Sequence, residues 1–269
     1  MPVNQHPFER RTCFDQVAED YQAVRPGYPP PLIEAVVSLA AIPPEGRILE
    51  IGCGPGQATI SFAGLGYRMT CLDLGPALLD RAAERCRAYP NVQFHLSAFE
   101  DWPEEPKTFD LAIAATAFHW IPPEIGYPKA ARLLKDSGAL AIFSNEHPAQ
   151  SDRFFTEVNE IYQQLVPEWS PRYTNEMIEQ KVQESIDSTI RAIEATELFE
   201  PVILGTYPWT EKYTARTYPR LLNTYSDYRG LDADRRERLF QAISELIEKD
   251  YGGTITRQYR SVLYFAKKR

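Results

Sequence analysis

The sequence predicts a doubly wound α/β fold on a largely parallel sheet, and three observations carry that expectation. Short apolar runs alternate with helical stretches from Arg47 to Phe143. The first run, Arg47-Ile48-Leu49-Glu50-Ile51, opens directly onto Gly52-Cys53-Gly54-Pro55-Gly56, a glycine-dense bend that leaves a sheet and starts a helix. The second run ends in an acid, Asp73, at the sheet edge where open α/β sheets hold ligands.

The elements follow in order. Residues 14–24 suit a short helix, broken by Arg25-Pro26-Gly27-Tyr28-Pro29-Pro30-Pro31. Leu32, Val36, Val37 and Ala40 recur at helical spacing, so a second helix precedes the first strand. Past the glycine bend, Ala58–Leu65 suits a helix ended by Gly66. Tyr67–Leu72 suits a strand, Ala77–Ala88 a helix, and Val92–Leu96 and Leu111–Ala115 two further strands. Pro128–Leu134 reads as helical, and Asp136-Ser137-Gly138 turns into a fifth strand at Ala139–Phe143. Beyond it, residues 151–166 and 174–195 look helical, Val202–Tyr207 is a candidate sixth strand, 215–224 and 232–249 are helical, and Ile255–Phe265 is the last strand. The resulting division is a single domain over 1–269. It comprises an N-terminal helical segment (1–44), a ligand-binding core (45–145), a helical lid insertion (146–200), and C-terminal strands and helices that complete the sheet (201–269).

Composition narrows the functional classes. With 269 residues, 43% hydrophobic and 25% charged, the chain has ordinary globular usage and enough length for one large domain. No apolar window reaches the ~18 residues of a membrane span, and no apolar run follows a basic start, so neither a membrane anchor nor a signal peptide is expected. A net charge of −8 disfavours binding to nucleic-acid phosphates. Four cysteines, Cys13, Cys53, Cys71 and Cys86, lack metal spacing and read as reduced thiols of a cytoplasmic protein. No metal site is expected.

The glycine spacing selects among ligands. A dinucleotide fingerprint wants G-x-G-x-x-G with pyrophosphate on the helix N-terminus. Here the third glycine comes one residue early, and Glu50 sits two residues before the first, where it would repel a phosphate. Asp73 lies 23 positions beyond Glu50, and its carboxylate can accept hydrogen bonds from both hydroxyls of a ribose. A solvated acid at a strand end is the plainer alternative for Asp73, as a salt-bridge or capping role is for Glu50.

Acid-x-Gly-x-Gly-x-Gly resembles motif I of the class I S-adenosylmethionine-dependent methyltransferases, whose cofactor carries an ammonium and a sulfonium and no phosphate. Ser97-Ala98-Phe99-Glu100-Asp101-Trp102-Pro103 resembles that family's adenine-binding segment, and Phe109-Asp110-Leu111-Ala112-Ile113 and Ala130–Gly138 resemble its next strand, helix and turn. The chain has Asp-Ser-Gly where the family usually has Pro-Gly-Gly. The resemblance covers roughly residues 45–145. It implies a Rossmann-like seven-stranded sheet in the order 3-2-1-4-5-7-6, the last strand antiparallel. It also implies S-adenosylmethionine as cofactor, S-adenosylhomocysteine as product, and a cofactor site built from Glu50, Gly52, Cys53, Gly54, Gly56, Asp73, Leu74, Ala98, Phe99, Glu100 and Ala115. Phe99 is either the cover of the adenine ring or a core aromatic.

Two finer resemblances concern the acceptor. Phe14-Asp15-x-x-Ala18-x-x-Tyr21-x-x-x-Arg25-Pro26-x-Tyr28-Pro29 is similar to the N-terminal segment of the ubiquinone-biosynthesis and trans-aconitate-type methyltransferases. That similarity implies Tyr21 near the sulfonium and Arg25 on the methionine carboxylate, a charge-assisted contact. Ala114-Ala115-Thr116-Ala117-Phe118-His119-Trp120 resembles the trans-aconitate type, in which a His-Trp pair lies near the transferred methyl. His119 and Tyr21 are therefore the candidate catalytic residues, His119 as orienter or base. His119, Trp120, Trp169, Tyr173 and Tyr225 are the candidate acceptor-binding residues. Tyr207, Trp209 and Tyr213 are further aromatic candidates, and Arg172, Arg216, Arg220 and Arg229 are candidates for a clamp on an acidic acceptor.

The absence of Asn-Pro-Pro-Tyr or Asp-Pro-Pro-Tyr after the fourth strand disfavours adenine N-methylation, and the lack of an acidic cluster there disfavours magnesium-dependent catechol chemistry. The expectation is a methyltransferase for a small-molecule acceptor, O-methylation of a carboxylate or hydroxyl favoured, as a monomer or homodimer without nucleic-acid or membrane partners. The rivals are a catalytically silent S-adenosylmethionine-binding regulator, an NAD-dependent oxidoreductase, and a protein or RNA methyltransferase.

Overall fold

The computed structural model describes residues 22–103, 105–150, 152–169 and 175–269. Of the helix expected over 14–24, the described part, residues 22–24, is helical. The sheet is built from β1 (Arg47–Ile51), β2 (Arg68–Asp73), β3 (Val92–Leu96), β4 (Phe109–Ala115), β5 (Leu134–Glu146), β6 (Ile203–Thr214) and β7 (Thr254–Lys267). Its seven strands run in the order β3-β2-β1-β4-β5-β7-β6. The first five are parallel, and β7 pairs antiparallel with both β5 and β6. The expected architecture, order and final antiparallel strand are all present.

Helices α1 (Pro30–Ala40), α2 (Thr59–Ala63) and α3 (Pro76–Arg85) cover one face of the sheet. At five residues, α2 is far below the length at which a helix is stable by itself. It is held by Phe62, wholly buried against Ile48, Met69 and Leu111, a burial of roughly 1.5–3 kcal/mol. Helices α4 (Pro123–Leu133) and α6 (Asn175–Glu194) cover the other face. The helix α6 falls within the span expected to form a lid, but Val182, Ile186 and Ile193 bury it in the same cluster as Ile142, Val262 and Tyr264. It is a sheet-covering helix, because its apolar stripe finds the open face of β5 and β7.

A third apolar cluster lies beyond the C-terminal edge of the parallel strands. There β6 and β7 continue as a two-stranded ribbon, with pairs from Trp209↔Tyr259 out to Thr214↔Thr254. Helices α5 (Arg153–Leu165), α7 (Thr217–Asn223), α8 (Ser226–Arg229) and α9 (Ala233–Asp250) are introduced by this part of the chain. Phe154, Val158, Leu221, Leu239, Ile243 and Ile247 pack on Tyr213, Ile255 and Tyr259 of the ribbon.

Four boundaries differ from expectation. Helix α4 begins at Pro123, in the first turn where a proline is tolerated, and carries Pro128 inside it. Strand β5 absorbs the expected turn Asp136-Ser137-Gly138 as an irregularity, its register jumping from Phe109↔Leu134 to Leu111↔Ala139. Strand β6 runs on through Pro208, which an edge strand permits because its outer N–H has no ladder partner to lose. Helix α2 stops at Ala63, two residues short of Leu65. Among the described residues, no helix is long and apolar enough to cross a membrane.

The bend after β1 depends on glycine for a specific reason. Gly52 has φ +71°, and a Cβ there would lie 2.5 Å from the Cβ of Ala117. Gly52→Ala therefore incurs a left-handed penalty of roughly 1–2 kcal/mol and an overpacking cost of about 1–3 kcal/mol. Urea unfolding should show the G52A midpoint lowered at unchanged slope. A midpoint equal to that of the unsubstituted protein would mean that the bend relaxes without need of glycine.

Candidate active site

One pocket at the C-terminal edge of β1, β2, β4 and β5 gathers most of the residues singled out by the sequence. Gly52, Cys53, Gly54, Asp73, Leu74, Ala98, Phe99, Ala115, His119, Trp120, Arg25 and Tyr225 line it. Their convergence follows from topology. Each parallel strand ends at this edge, and the strand order reverses between β1 and β4, which opens a crevice there.

The floor is the bend after β1. The amides of Gly52 and Cys53 both donate to the Leu72 carbonyl at 2.9 Å, so the bend leaves β1 still attached to β2. Asp73 completes the joint: one carboxylate oxygen accepts from the Gly54 amide at 2.8 Å and the other from the Gly75 amide at 2.9 Å. Each oxygen has more than one acceptor direction, so an acid in this position can hold the bend and still meet a hydroxyl in the pocket.

Glu50 lies beneath this floor, fully buried and apart from the pocket wall. Its Oε2 accepts from Thr59 Oγ1 at 2.6 Å and from the Cys71 thiol at 3.6 Å, while Oε1 is buried without a partner. Burial drives its pKa up to about 7, against the lowering effect of the Thr59 and Cys71 hydrogen bonds. Burial likewise pushes the thiols of Cys53 and Cys71 upward, which makes them inert as nucleophiles.

The wall beside Asp73 is the segment after β3. Phe99 is 3% exposed and belongs to the sheet core while also lining the pocket. Lys129 of α4 fixes the segment by donating to the carbonyls of Glu100 at 3.0 Å and Trp102 at 2.7 Å. After β4 the chain turns at Thr116, a β-branched residue at φ 57°. Such a conformation is strained, and residues of this kind cluster at functional sites. The Thr116 hydroxyl meets the Tyr28 hydroxyl at 2.8 Å, and its amide donates to the Phe143 carbonyl at 2.8 Å. His119 and Trp120 follow on a single turn of 3₁₀ helix, with ring centroids 4.9 Å apart. Desolvation lowers the His119 pKa from 6.5, leaving a neutral imidazole at neutral pH.

The far end is cationic and aromatic. Arg25 donates to Thr224 Oγ1 at 2.7 Å and to the Thr224 carbonyl at 3.0 Å, with its guanidinium 4.0 Å from the Tyr225 ring centroid. Asn145, near the end of β5 and paired with Ser261, and His147, just past that end, line this end together with Tyr259. His147 is close to Tyr225, with Nε2 3.2 Å from its hydroxyl, and its pKa lies well below the usual 6.5 because of burial and the nearby Arg257 and Arg25 charges.

Several sequence candidates stand elsewhere. Tyr21, Tyr173 and Arg172 lie outside the described residues. Gly56 faces Ala82 and Cys86 of α3, where a Cβ would meet the Ala82 Cα at 3.4 Å, so it serves the packing of helix on bend. Glu100 is not among the lining residues. Trp169 packs against Tyr162 and Tyr228 in the third cluster, because its indole completes that apolar core. Tyr213 is buried there, and Trp209 stacks on Tyr259 behind the wall. Tyr207 packs on the sheet face of α1, while Arg216 is exposed and Arg220 and Arg229 are outside the lining. Sequence reasoning missed Thr116, Asn145, His147 and Tyr259. Polar residues directly past the end of a buried strand, as in Asn145-Glu146-His147, are a usable signal in this fold class.

The sheet order, the glycine bend and the pocket at the switch in strand order define the class I methyltransferase fold. Residues 48–138 match the methyltransferase-domain family. An uncharacterized methyltransferase of Mycobacterium tuberculosis is 31% identical over 134 residues, 49% of this chain and 51% of the relative, so this match spans about half the length of each. An uncharacterized methyltransferase of Schizosaccharomyces pombe is 25% identical over 245 residues, 88% of each chain. A protein from Anaeromyxobacter dehalogenans assigned as a type II methyltransferase has a similar structure, with TM-score 0.63 and 20% identity over 91% of this chain and 97% of that one. The match to the methyltransferase-domain family thus covers residues 48–138, and over the rest of the chain the likeness to solved methyltransferases is one of fold.

The state of Glu50 makes a pH prediction. The folded protein holds the Glu50 proton more tightly than the unfolded chain. That contribution to stability is whole below pH 4.5 and is lost as pH rises through about 7. The shift corresponds to roughly 3 kcal/mol. Unfolding free energy should fall between roughly pH 5 and pH 8 in the unsubstituted protein and stay flatter in Glu50→Gln, which copies the protonated form. Equal slopes in the two proteins would mean that Glu50 ionises as in solvent.

Proposed function

We propose that the protein transfers a methyl group from S-adenosylmethionine to a small-molecule acceptor, with a carboxylate or hydroxyl oxygen the favoured target. The observation that carries this reading is the convergence in one pocket of the glycine bend, Asp73, Leu74, Ala98 and Phe99 with the His119–Trp120 pair. The lining chemistry fits the cofactor. An acid sits where a ribose would lie and already takes the Gly54 amide, which leaves the bend poor as a phosphate cradle and opposes a dinucleotide. S-adenosylmethionine supplies an activated methyl on a sulfonium, and the sulfur keeps the electron pair when the methyl leaves.

The chain's own contribution is alignment. Asp73 orients the ribose, Leu74 and Phe99 enclose the adenine, and Arg25 meets the methionine carboxylate, where a charge-assisted contact is strongest. The neutral imidazole of His119 accepts the proton of a hydroxyl acceptor or orients a carboxylate, which has no proton to lose. Helices α5, α7, α8 and α9 close the acceptor end, an enclosure suited to a small molecule.

Calorimetric titration with S-adenosylhomocysteine, with NADH as control, tests the cofactor. Binding of the first alone is expected, and binding of NADH alone would overturn the reading. Asp73→Ala removes both ribose and bend contacts, whereas Asp73→Asn keeps one acceptor for the bend. Both should weaken S-adenosylhomocysteine binding, by at least ~10-fold for the alanine variant, and an asparagine variant of native affinity would take the carboxylate off the ribose. Once an acceptor is found, His119→Ala should lower kcat with S-adenosylhomocysteine affinity unchanged. The acid limb of the native rate profile should fall below pH 6.5. Unchanged kcat would remove His119 from the chemistry, and no transfer to any acceptor would favour a silent binding protein.

A further inference from the structure

We infer that Arg257, with His147, forms a receptor for a carboxylate-class anionic group of the acceptor, separate from the atom that is methylated. This inference rests on the methyltransferase reading above. Arg257 lies on β7 between Ile255 and Tyr259, whose side chains share its face and belong to the third apolar cluster, so strand alternation sends a guanidinium into that cluster. Its Nε and Nη1 are buried and have no hydrogen-bond partner among the described residues. The cross-strand neighbour is an acid, Glu211, but its carboxylate is turned to the Lys212 amide at 3.2 Å.

Three rings surround the guanidinium, at 5.5 Å for Tyr259, 5.8 Å for Tyr225 and 6.0 Å for Tyr218. Ring faces offset a desolvated cation by only about 2 kcal/mol, and an unpaired buried charge costs several. The site therefore favours an anion. Arg257 lies behind the lining, but two of the three rings against it, Tyr225 and Tyr259, are themselves walls of the pocket. A second unsatisfied group is beside them: His147 Nδ1 is also buried without a partner. With Nε2 facing the Tyr225 hydroxyl, a neutral His147 can carry its proton on Nδ1 and donate. Arg25 also lies against Tyr225, 4.0 Å from its ring centroid, so two guanidinium groups meet one ring.

The anion held there is an anchor. Pairing with a guanidinium withdraws charge from a carboxylate and makes it a poorer nucleophile, so the methylated oxygen belongs to another part of the acceptor. Arg25 suffices for the methionine carboxylate, which leaves Arg257 for the acceptor.

The test is calorimetry at saturating S-adenosylhomocysteine. The probes are acetate, benzoate, glutarate and inorganic phosphate, with the neutral amides of the three acids as controls. At least one acid should bind, and at least ~10-fold more tightly than its amide. Arg257→Lys and Arg257→Met should each lose ~10-fold or more of that affinity while binding S-adenosylhomocysteine normally. Arg216→Gln, at an exposed position, should change neither. The inference is overturned if no acid binds, if amides bind equally, if phosphate alone binds, if Arg257→Lys binds the acid normally, or if it loses S-adenosylhomocysteine instead. Should both variants fail to fold, the acid-against-amide comparison on the unsubstituted protein decides. A native protein that does not bind S-adenosylhomocysteine sinks the underlying reading rather than the anion receptor alone.

Discussion

The attachment of the glycine bend to the end of β2 is the constraint on which the rest of the pocket depends. Two amides on the Leu72 carbonyl and one on the Asp73 carboxylate fix where the chain turns after β1. A second Asp73 oxygen fixes Gly75, where α3 begins. One acid at a strand end thus holds the bend, the start of a helix and the corner of a crevice. The same acid is available to a ligand hydroxyl. The structural role of Asp73 and the binding role proposed for it would therefore be coupled, and any substitution there must be read for both.

The pocket floor also carries two unfavourable features side by side in the fold. Glu50 is a carboxyl in an apolar layer, paired on one oxygen and unpartnered on the other. Thr116 is a β-branched residue in the left-handed region. Neither is what a sequence selected for stability alone would carry. Both sit at strand ends next to the crevice, with Glu50 opposite Ile113 of β4 in register and Thr116 just after β4. The sheet core on either side, from Leu49 to Phe143, supplies the burial that sustains them.

Much of this was legible because parallel strands write themselves plainly. A strand buried on both faces is a short apolar run, so β1 to β4 could be located closely, and the glycine bend marked the crevice. The legible part of the site is the part made by strand ends and bends: Gly52, Gly54, Asp73, Ala98, Phe99 and His119. The outer half was harder. Strand β6 alternates exposed and half-buried residues along an edge and contains Pro208, which argues locally against a strand. Helix α6 has the same amphipathic pattern whether it covers a sheet or closes a site, so its periodicity could not say which. Trp169 and Tyr213 are aromatic for a core, and only their partners distinguish that from a ligand wall. Arg257 was legible in principle as a cation on the inward side of an alternating strand, but inwardness is fixed by the ribbon's register with β6, which no single strand reveals.

The two ends of the pocket differ in origin as well as in charge. Asp73 and its neighbours come from the parallel strands, whose packing lies in the two sheet-face clusters. Tyr225, Tyr259 and the arginine behind them come from the β6–β7 ribbon and its helices, packed in a cluster of their own. Because the clusters share no residues, side chains in the ribbon cluster can change without repacking the pocket floor. The methyltransferase-domain match ends at residue 138, before the ribbon begins. The division follows a physical rule: a scaffold of strand ends fixes the common ligand, and the elements added at its edge are left to fit the particular one. In this chain those elements set Arg257 against Tyr225 and Tyr259, two residues of the pocket wall.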